Sequence, residues 1–183
     1  IKLVDLALMT SAGPTYFPVH LNHIDGGVAM NNPSMAAISF AINKHNSSGR
    51  DYMYPDGKRK GLGLDLAELR LFSLSTGTGN KNRIDKSQIK TGNWGSLQWI
   101  KYLPDLLTES NMQSTWYYVQ QVLTDEQRLR IELFFDDPKA PPILQEKPVG
   151  LDATKKEILK AMHAFAILTY ETEKESIKKF LGL

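Results

Sequence analysis

Ile24-Asp25-Gly26-Gly27-Val28-Ala29-Met30-Asn31-Asn32-Pro33 is a stretch that places a single carboxylate between an apolar run and a helix start. Asp25 stands directly before Gly26 and Gly27, where the backbone can turn tightly and another group can approach closely. A carboxylate held in that way can accept a proton from a neighbouring hydroxyl. The tripeptide also fits a simpler interpretation, in which an Asp-Gly pair only turns the chain. Taken alone, it leaves both interpretations open.

The composition is that of an ordinary globular protein. The chain has 183 residues with 42% hydrophobic and 23% charged residues, which favours one domain or a large part of one. The net charge is only +2, so we predict no nucleic-acid partner. No cysteine is present, which excludes disulfides and thiolate chemistry. No signal peptide and no transmembrane helix are recognisable, so the chain is predicted to be soluble.

The hydrophobic pattern predicts strands that alternate with helices. Amphipathic or apolar segments predict helices over residues 3–9, 33–44, 97–107, 110–123, 153–170 and 172–181. Strands are predicted over residues 20–24, 66–75 and 128–135, the second of them buried and the third a half-exposed edge. Residues 10–18, 46–60, 81–95 and 136–148 are predicted as loops. This order predicts an α/β fold with a sheet between helices.

Other patterns point less clearly to chemistry. His20 and His23 are three apart in a predicted strand, so they would point to opposite faces and could not share a metal ion. Thr76-Gly77-Thr78-Gly79 lacks the Gly-Lys-Ser/Thr ending of a phosphate-binding loop and predicts a turn after a strand. The many Trp and Tyr residues between 94 and 118 fit either a packed helical core or a surface that touches lipid.

The flanks of Asp25 give the motif its context. Asp25 is preceded by Thr10-Ser11-Ala12-Gly13-Pro14-Thr15-Tyr16-Phe17-Pro18 and followed by Asn31-Asn32-Pro33. Three further segments come later in the chain, in the order Leu74-Ser75-Thr76-Gly77-Thr78-Gly79, Trp94-Gly95 and Leu129-Arg130-Ile131. In this order the chain closely resembles the patatin-like phospholipases, above all their plant-type and related bacterial branch. Gly13 stands where that family has a second alanine, and Thr76 where it has Leu or Gly.

The resemblance implies a lipid acyl hydrolase with a serine–aspartate dyad and a three-layer patatin-like fold. Asp25 matches the family's aspartate, which takes the proton of the serine, and Gly26 and Gly27 shape its turn. The substrate would be an acyl ester of a phospholipid or galactolipid, reached through transient contact with a membrane surface. No metal ion or organic cofactor is implied, and the oligomeric state is left open.

The resemblance also implies that two parts of the family's site precede Ile1. The family's nucleophile lies in a G-x-S-x-G turn, and no such sequence occurs in the chain. Its glycine-rich oxyanion loop is likewise absent, since Asp25-Gly26-Gly27 takes the later position. Residues 1–183 are therefore expected to form the C-terminal part of a single patatin-like domain, inactive by itself. Ser11 has no predicted partner and is not expected to act as the nucleophile.

Two other functions stay open at this point. The chain could belong to a non-catalytic patatin-like protein with a storage, binding or regulatory role. It could also be an unrelated nucleotide-binding α/β domain, for which Lys81 would be the phosphate-contacting residue. An intact serine turn in the preceding sequence would favour the enzyme.

Overall fold

The computed structural model describes residues 1–14, 16–44, 61–78, 92–100, 102–146, 149–150 and 153–183. In chain order the helices are α1 (Leu3–Thr10), α2 (Gly27–Met30), α3 (Ser34–Ile42), α4 (Ser96–Ile100), α5 (Leu103–Val122), α6 (Pro142–Glu146) and α7 (Lys156–Leu181). The strands are β1 (Leu71–Leu74) and β2 (Arg128–Ile131). Short 3-10 turns over Leu66–Glu68 and Asp125–Gln127 lead into the two strands.

The two strands form a small parallel sheet. Leu71 lies opposite Arg128, and Leu74 lies opposite Ile131. The pairing extends beyond the strands, because Thr78 bridges to Phe134. Helices together with a parallel sheet confirm the predicted α/β class.

Helices pack on both faces of this sheet. On one face, α3 and α5 enclose a core of Ile38, Val119 and Leu123, against which Leu71 packs. On the other face, α6 and α7 enclose a second core around Phe135, Ala140, Leu144 and Phe165. Successive strand residues point to opposite faces, and Phe72 accordingly lies 6.4 Å, ring to ring, from Phe180 of α7. Covering both faces is the usual arrangement for parallel strands.

The structure corrects two predicted strands and one predicted loop. Residues 20–24 are not a strand: His20 and His23 pair across a tight turn in which Leu21 and Asn22 both have positive φ, 47° and 61°. β1 is shorter than predicted and not fully buried, since Leu74 is 68% exposed. The proline-rich segment 136–148 contains α6, because Pro142 stands at a first helical position and Leu144 is buried.

The helix boundaries also differ from the prediction at two places. The break predicted between residues 107 and 110 lies instead just before α5, which then continues unbroken for 20 residues. Pro104 stands in the first turn of α5, where its missing N–H costs no hydrogen bond. The break predicted at Glu171 is absent, and α7 runs through it for 26 residues to a left-handed Gly182.

Candidate functional site

Asp25 is held from two sides by backbone groups. Its own N–H donates to the carbonyl oxygen of Ala12 at 3.0 Å, and Ala12 is only 2% exposed. One carboxylate oxygen, Oδ1, accepts the backbone N–H of Gly27 at 2.7 Å. Asp25 is therefore fixed at the junction between the loop that follows α1 and the start of α2, and its side chain is half-buried.

The second carboxylate oxygen, Oδ2, accepts no hydrogen bond from any residue that the structure describes. It faces Gly13, where an added Cβ would lie 3.8 Å from it. One oxygen is thus oriented by the backbone, and the other keeps its acceptor capacity. This is the arrangement that a carboxylate needs in order to receive a proton from a hydroxyl placed against it.

The two glycines of the motif differ in what they allow. Gly26 lies in the helical region at φ −59° and ψ −23°, with no atom within 4 Å of the place where a Cβ would stand. An added Cβ on Gly27 would lie 3.2 Å from Asp25 Oδ1 and 3.6 Å from Asn31 Oδ1. Neither glycine is needed for a left-handed backbone. Gly27 instead gives the carboxylate room, and Gly26 leaves open space beside it.

Two asparagines hold the short helix α2 and the turn that follows it. Asn32 is buried at 6% exposure, and its Oδ1 accepts the backbone N–H of Ser34 at 3.1 Å, which holds the turn before α3, where Pro33 occupies the N-cap position. Asn111 of α5 donates through Nδ2 to the carbonyl oxygen of Ala29 at 2.8 Å and anchors α2. Nothing in the local sequence singled out Asn111, because its partner lies 82 residues away.

The tight turn at residues 20–23 is tied to α1 through one of its two histidines. His20 Nε2 lies 3.2 Å from Asp5 Oδ1, whereas His23 Nδ1 lies 2.7 Å from the carbonyl oxygen of Leu21. The two rings thus have separate partners. Among the residues that the structure describes, no three His, Asp or Glu side chains come together as a metal site.

Two serines singled out by the sequence are engaged elsewhere. Ser11 Oγ donates to the carbonyl oxygen of Ala7 at 2.8 Å, at the end of α1. Ser75 Oγ accepts the backbone N–H of Gly77 at 3.0 Å, in the turn predicted to follow β1. Gly79 and Lys81 lie outside the described residues. The structure therefore brings together Asp25, Gly26 and Gly27, but no serine hydroxyl among the described residues donates to Asp25.

An apolar groove lies apart from this site. It has a volume of about 540 Å³ between α7 and the exposed face of β1, and Phe72, Leu74, Met162 and Tyr170 are among its lining residues. No residue of the Asp25 motif lines it. The carboxylate and the groove are separate features of the described structure.

Comparison with known proteins places the chain among the patatins. It is 32% identical to "Patatin-like protein 1" of Arabidopsis thaliana over 72% of this chain and 36% of that protein. It is 34% identical to "Patatin-like protein 2" of the same plant over 55% of this chain and 26% of that protein. Along its whole length it is 27% identical to "Probable inactive patatin-3-Kuras 1" of Solanum tuberosum, of which it covers 52%.

These matches are partial in length. The chain spans about a quarter to a half of the curated relatives it matches. No family model matches the chain, and no solved structure matches it significantly. The ordered motifs around Asp25 and the matches to curated patatins agree with one another, and the chain belongs to the patatin-like protein family.

Proposed function

We propose that this chain carries the base of a serine–aspartate dyad in a lipid acyl hydrolase. The observation that supports this most directly is the Asp25 carboxylate, in which Oδ1 is fixed by Gly27 while Oδ2 is left without a partner among the described residues. The substrate would be an acyl ester of a phospholipid or galactolipid. Residues 1–183 would supply the C-terminal part of a single patatin-like domain.

In the proposed reaction, Asp25 Oδ2 accepts the proton of a serine hydroxyl as that oxygen attacks the ester carbonyl. Asp25 then gives that proton to the leaving alcohol as the ester C–O bond breaks, which leaves the acyl group on the serine. A water molecule that loses a proton to Asp25 attacks the acyl-enzyme, and the serine oxygen takes this proton back as the fatty acid leaves. A free aspartate is a weak base with a pKa near 3.9, so contact with the hydroxyl and fixed orientation must compensate. The serine and the N–H groups that stabilise the oxyanion would come from polypeptide that precedes Ile1. The dyad itself requires no metal ion or organic cofactor.

The test is Asp25→Asn in the full-length protein, assayed with a p-nitrophenyl ester. Asparagine keeps an Oδ1 that can accept the Gly27 N–H, so the turn should persist while the base is lost. We expect hydrolysis to fall by roughly 10²–10⁴-fold, the usual contribution of a positioned base. The melting temperature should change little.

Asp137→Asn is the matched control. Asp137 is also half-buried, and its Oδ1 accepts the backbone N–H of Lys139 at 2.7 Å, the same local bond that Asp25 makes with Gly27. This variant should keep full activity. If Asp25→Asn were as active as Asp137→Asn, the Asp25 carboxylate would be a turn residue and the dyad assignment would be wrong.

A non-catalytic role is the second candidate. It is favoured by one specific observation: a relative that matches the whole of this chain is named as a probable inactive patatin. A full-length protein with Asp25 intact but no ester hydrolysis, and no serine turn before Ile1, would support a storage, binding or regulatory protein.

A further inference from the structure

The short helix α2, which carries Gly27, cannot satisfy the carbonyl group of Ala29 from within. In an α-helix the carbonyl oxygen of one residue accepts the N–H of the residue four positions later. For Ala29 that residue is Pro33, which has no backbone N–H. The Ala29 carbonyl therefore needs a donor from outside the helix. A helix of four residues is also too short to be stable by itself, so α2 depends on the contacts that hold it.

Asn111 of α5 supplies this donor. Its Nδ2 donates to the carbonyl oxygen of Ala29 at 2.8 Å, the distance of a normal hydrogen bond. The side-chain amide has N–H groups only on Nδ2, so a side chain of similar shape without an N–H could not replace it. Asn111 thus takes the place of the N–H that Pro33 lacks.

α5 is a firm anchor for this bond. It is one helix of 20 residues, and its Val119 is 0% exposed in the core that it shares with Ile38 of α3. Asn111 precedes Val119 by eight residues, about two helical turns, so the two side chains lie on nearly the same side of α5. The side of α5 that packs into the core therefore also holds α2.

The bond reaches Asp25 through the backbone of α2. The N–H of Ala29 donates to the carbonyl oxygen of Gly26 at 3.1 Å, within the same turn. The N–H of Gly27 donates to Asp25 Oδ1 at 2.7 Å. A displacement of Ala29 would therefore displace the turn that holds the Gly27 N–H, and with it the group that orients the carboxylate.

We propose that Asn111 is a positioning residue for the base of the proposed dyad. It holds α2, and through the Gly27 N–H it fixes the direction in which Asp25 Oδ2 faces the serine hydroxyl. Proton transfer requires this, because a base must lie within hydrogen-bond reach of the proton that it accepts. The proposal rests on the proposed function, to which it adds a residue from a distant part of the chain.

The test is Asn111→Leu in the full-length protein, assayed with the same p-nitrophenyl ester as Asp25→Asn. Leucine is close to asparagine in shape but has no N–H, so the Ala29 carbonyl loses its donor. We expect kcat per folded molecule to fall by about 10–100-fold, because a misplacement of about 1 Å can cost that much. KM should stay within about twofold, because the bond to Ala29 holds the base and not the substrate.

A double-mutant cycle separates positioning from a general structural effect. If Asn111 acts through the carboxylate, Asn111→Leu should lower the residual activity of Asp25→Asn by less than about twofold. A structural effect would act whether or not the base is present. A fall of the same size in both backgrounds would therefore overturn the proposal.

Hydrogen exchange gives a readout that needs no ester. The backbone amides of residues 25–32, followed as one peptide by mass spectrometry, should exchange at least about threefold faster in Asn111→Leu, because a bond that holds α2 is lost. Unchanged exchange would show that Asn111 does not hold this segment, and would also overturn the proposal.

Gln127→Leu is the matched control. Gln127 Nε2 also donates to a distant backbone carbonyl, that of Leu66, at the same 2.8 Å. Gln127 Oε1 accepts the N–H of Thr124 as well, so its loss should lower the melting temperature at least as much as Asn111→Leu does. The bonds of Gln127 join the turns that precede β1 and β2, not α2, so kcat should stay within about twofold. An equal fall in kcat in both variants would make Asn111 a merely structural residue.

Asn111→Ser takes the place of the leucine variant if that variant does not fold. Its side chain is shorter by one atom, so its hydroxyl should lie beyond hydrogen-bond distance of the Ala29 carbonyl, and the same fall in kcat is expected. Failure of the proposal is distinguishable from failure of the proposed function. Full activity of Asp25→Asn would contradict the dyad, whereas full kcat in the Asn111 variants beside an inactive Asp25→Asn would contradict only the positioning role.

Discussion

What the Asp25 carboxylate can do depends on the groups that surround its side chain. Its Oδ1 makes the same local hydrogen bond as Asp137, at the same 2.7 Å. What distinguishes Asp25 is its setting, because its N–H is held by the buried Ala12 carbonyl and its Oδ2 faces Gly13. A turn and a positioned base are therefore compatible roles for one carboxylate.

Gly13 is expected to accept alanine, the residue found at this position in the family. An added Cβ would make ordinary contacts, 3.8 Å from Asp25 Oδ2 and 3.9 Å from Tyr16 Cδ2. Because alanine restricts the unfolded chain, Gly13→Ala should raise the free energy of unfolding by about 0.4–1 kcal/mol. Urea denaturation followed by circular dichroism measures the change. A loss of stability would mean that the loop beside Asp25 cannot accommodate a side chain.

Gly77 is expected to behave in the opposite way. Its φ is +103°, and an added Cβ would lie only 2.5 Å from Phe135 Cζ, in the second core. Gly77→Ala should lower the free energy of unfolding by about 1–3 kcal/mol, through backbone strain and displacement of the Phe135 ring. The same urea titration tests it, and stability equal to that of Gly13→Ala would contradict the geometry.

At the scale of elements, α7 is one continuous helix where the sequence pattern predicts two. It continues through Glu171 with ion pairs one turn apart, Lys174 to Glu171 at 2.6 Å and Lys178 to Glu175 at 3.1 Å. Exposed pairs of this kind add little each. The helix is held mainly by Phe165 and its neighbours, which pack against α6 and the chain beyond β2.

Glu171→Pro tests whether α7 is one helix. A proline in the helix interior removes a hydrogen bond and clashes with the preceding turn, so we expect a loss of about 3 kcal/mol in the free energy of unfolding and a lower helix signal. Glu171→Ala removes only the exposed pair with Lys174 and should change stability by less than about 1 kcal/mol. Equal stability of the two variants would show that the helix ends near Glu171.

Sequence patterning located most elements but not all of their ends. It predicted α1, β1 and β2, because each has a clear apolar pattern bounded by turn residues. It did not locate the start of α5, because the helix predicted over residues 97–107 runs through Pro104, the residue that marks this start. It did not show the continuity of α7, because an amphipathic pattern alone does not reveal whether two helical segments are joined. It took the turn at His20–His23 for a strand, because positive φ at Leu21 is not a preference of leucine.

The site was predictable in part for a related reason. Asp25, Gly26 and Gly27 could be named as candidates because they are adjacent in the chain. The groups that position them come from elsewhere: Ala12 lies 13 residues earlier and Asn111 more than 80 residues later. Contacts of this kind depend on tertiary packing, which periodicity does not encode.

At the scale of the whole molecule, one buried cation joins the layers. Arg130 on β2 donates to Glu132 through Nε and Nη2, both at 3.1 Å, and to Ser73 Oγ on β1 through Nη1 at 3.0 Å. Its guanidinium also lies against the Trp116 ring of α5. Its side chain is 8% exposed and that of Glu132 is 19% exposed, so the pair is largely removed from water.

Replacing Arg130 alone should lower the stability of the fold, because it leaves a buried charge without a partner. Arg130→Met leaves the Glu132 carboxylate largely buried without its cation, and we expect the free energy of unfolding to fall by about 3 kcal/mol. Arg130→Met combined with Glu132→Leu removes both charges and should restore a large part of that loss, since a buried ion pair contributes little beyond what apolar packing can supply. A double-mutant cycle in urea measures the coupling. The loss of stability in the double variant could instead equal the sum of the losses in the two single variants. In that case the sheet would be joined to α5 by the contacts of Arg130 with Ser73 and Trp116, and not by the ion pair.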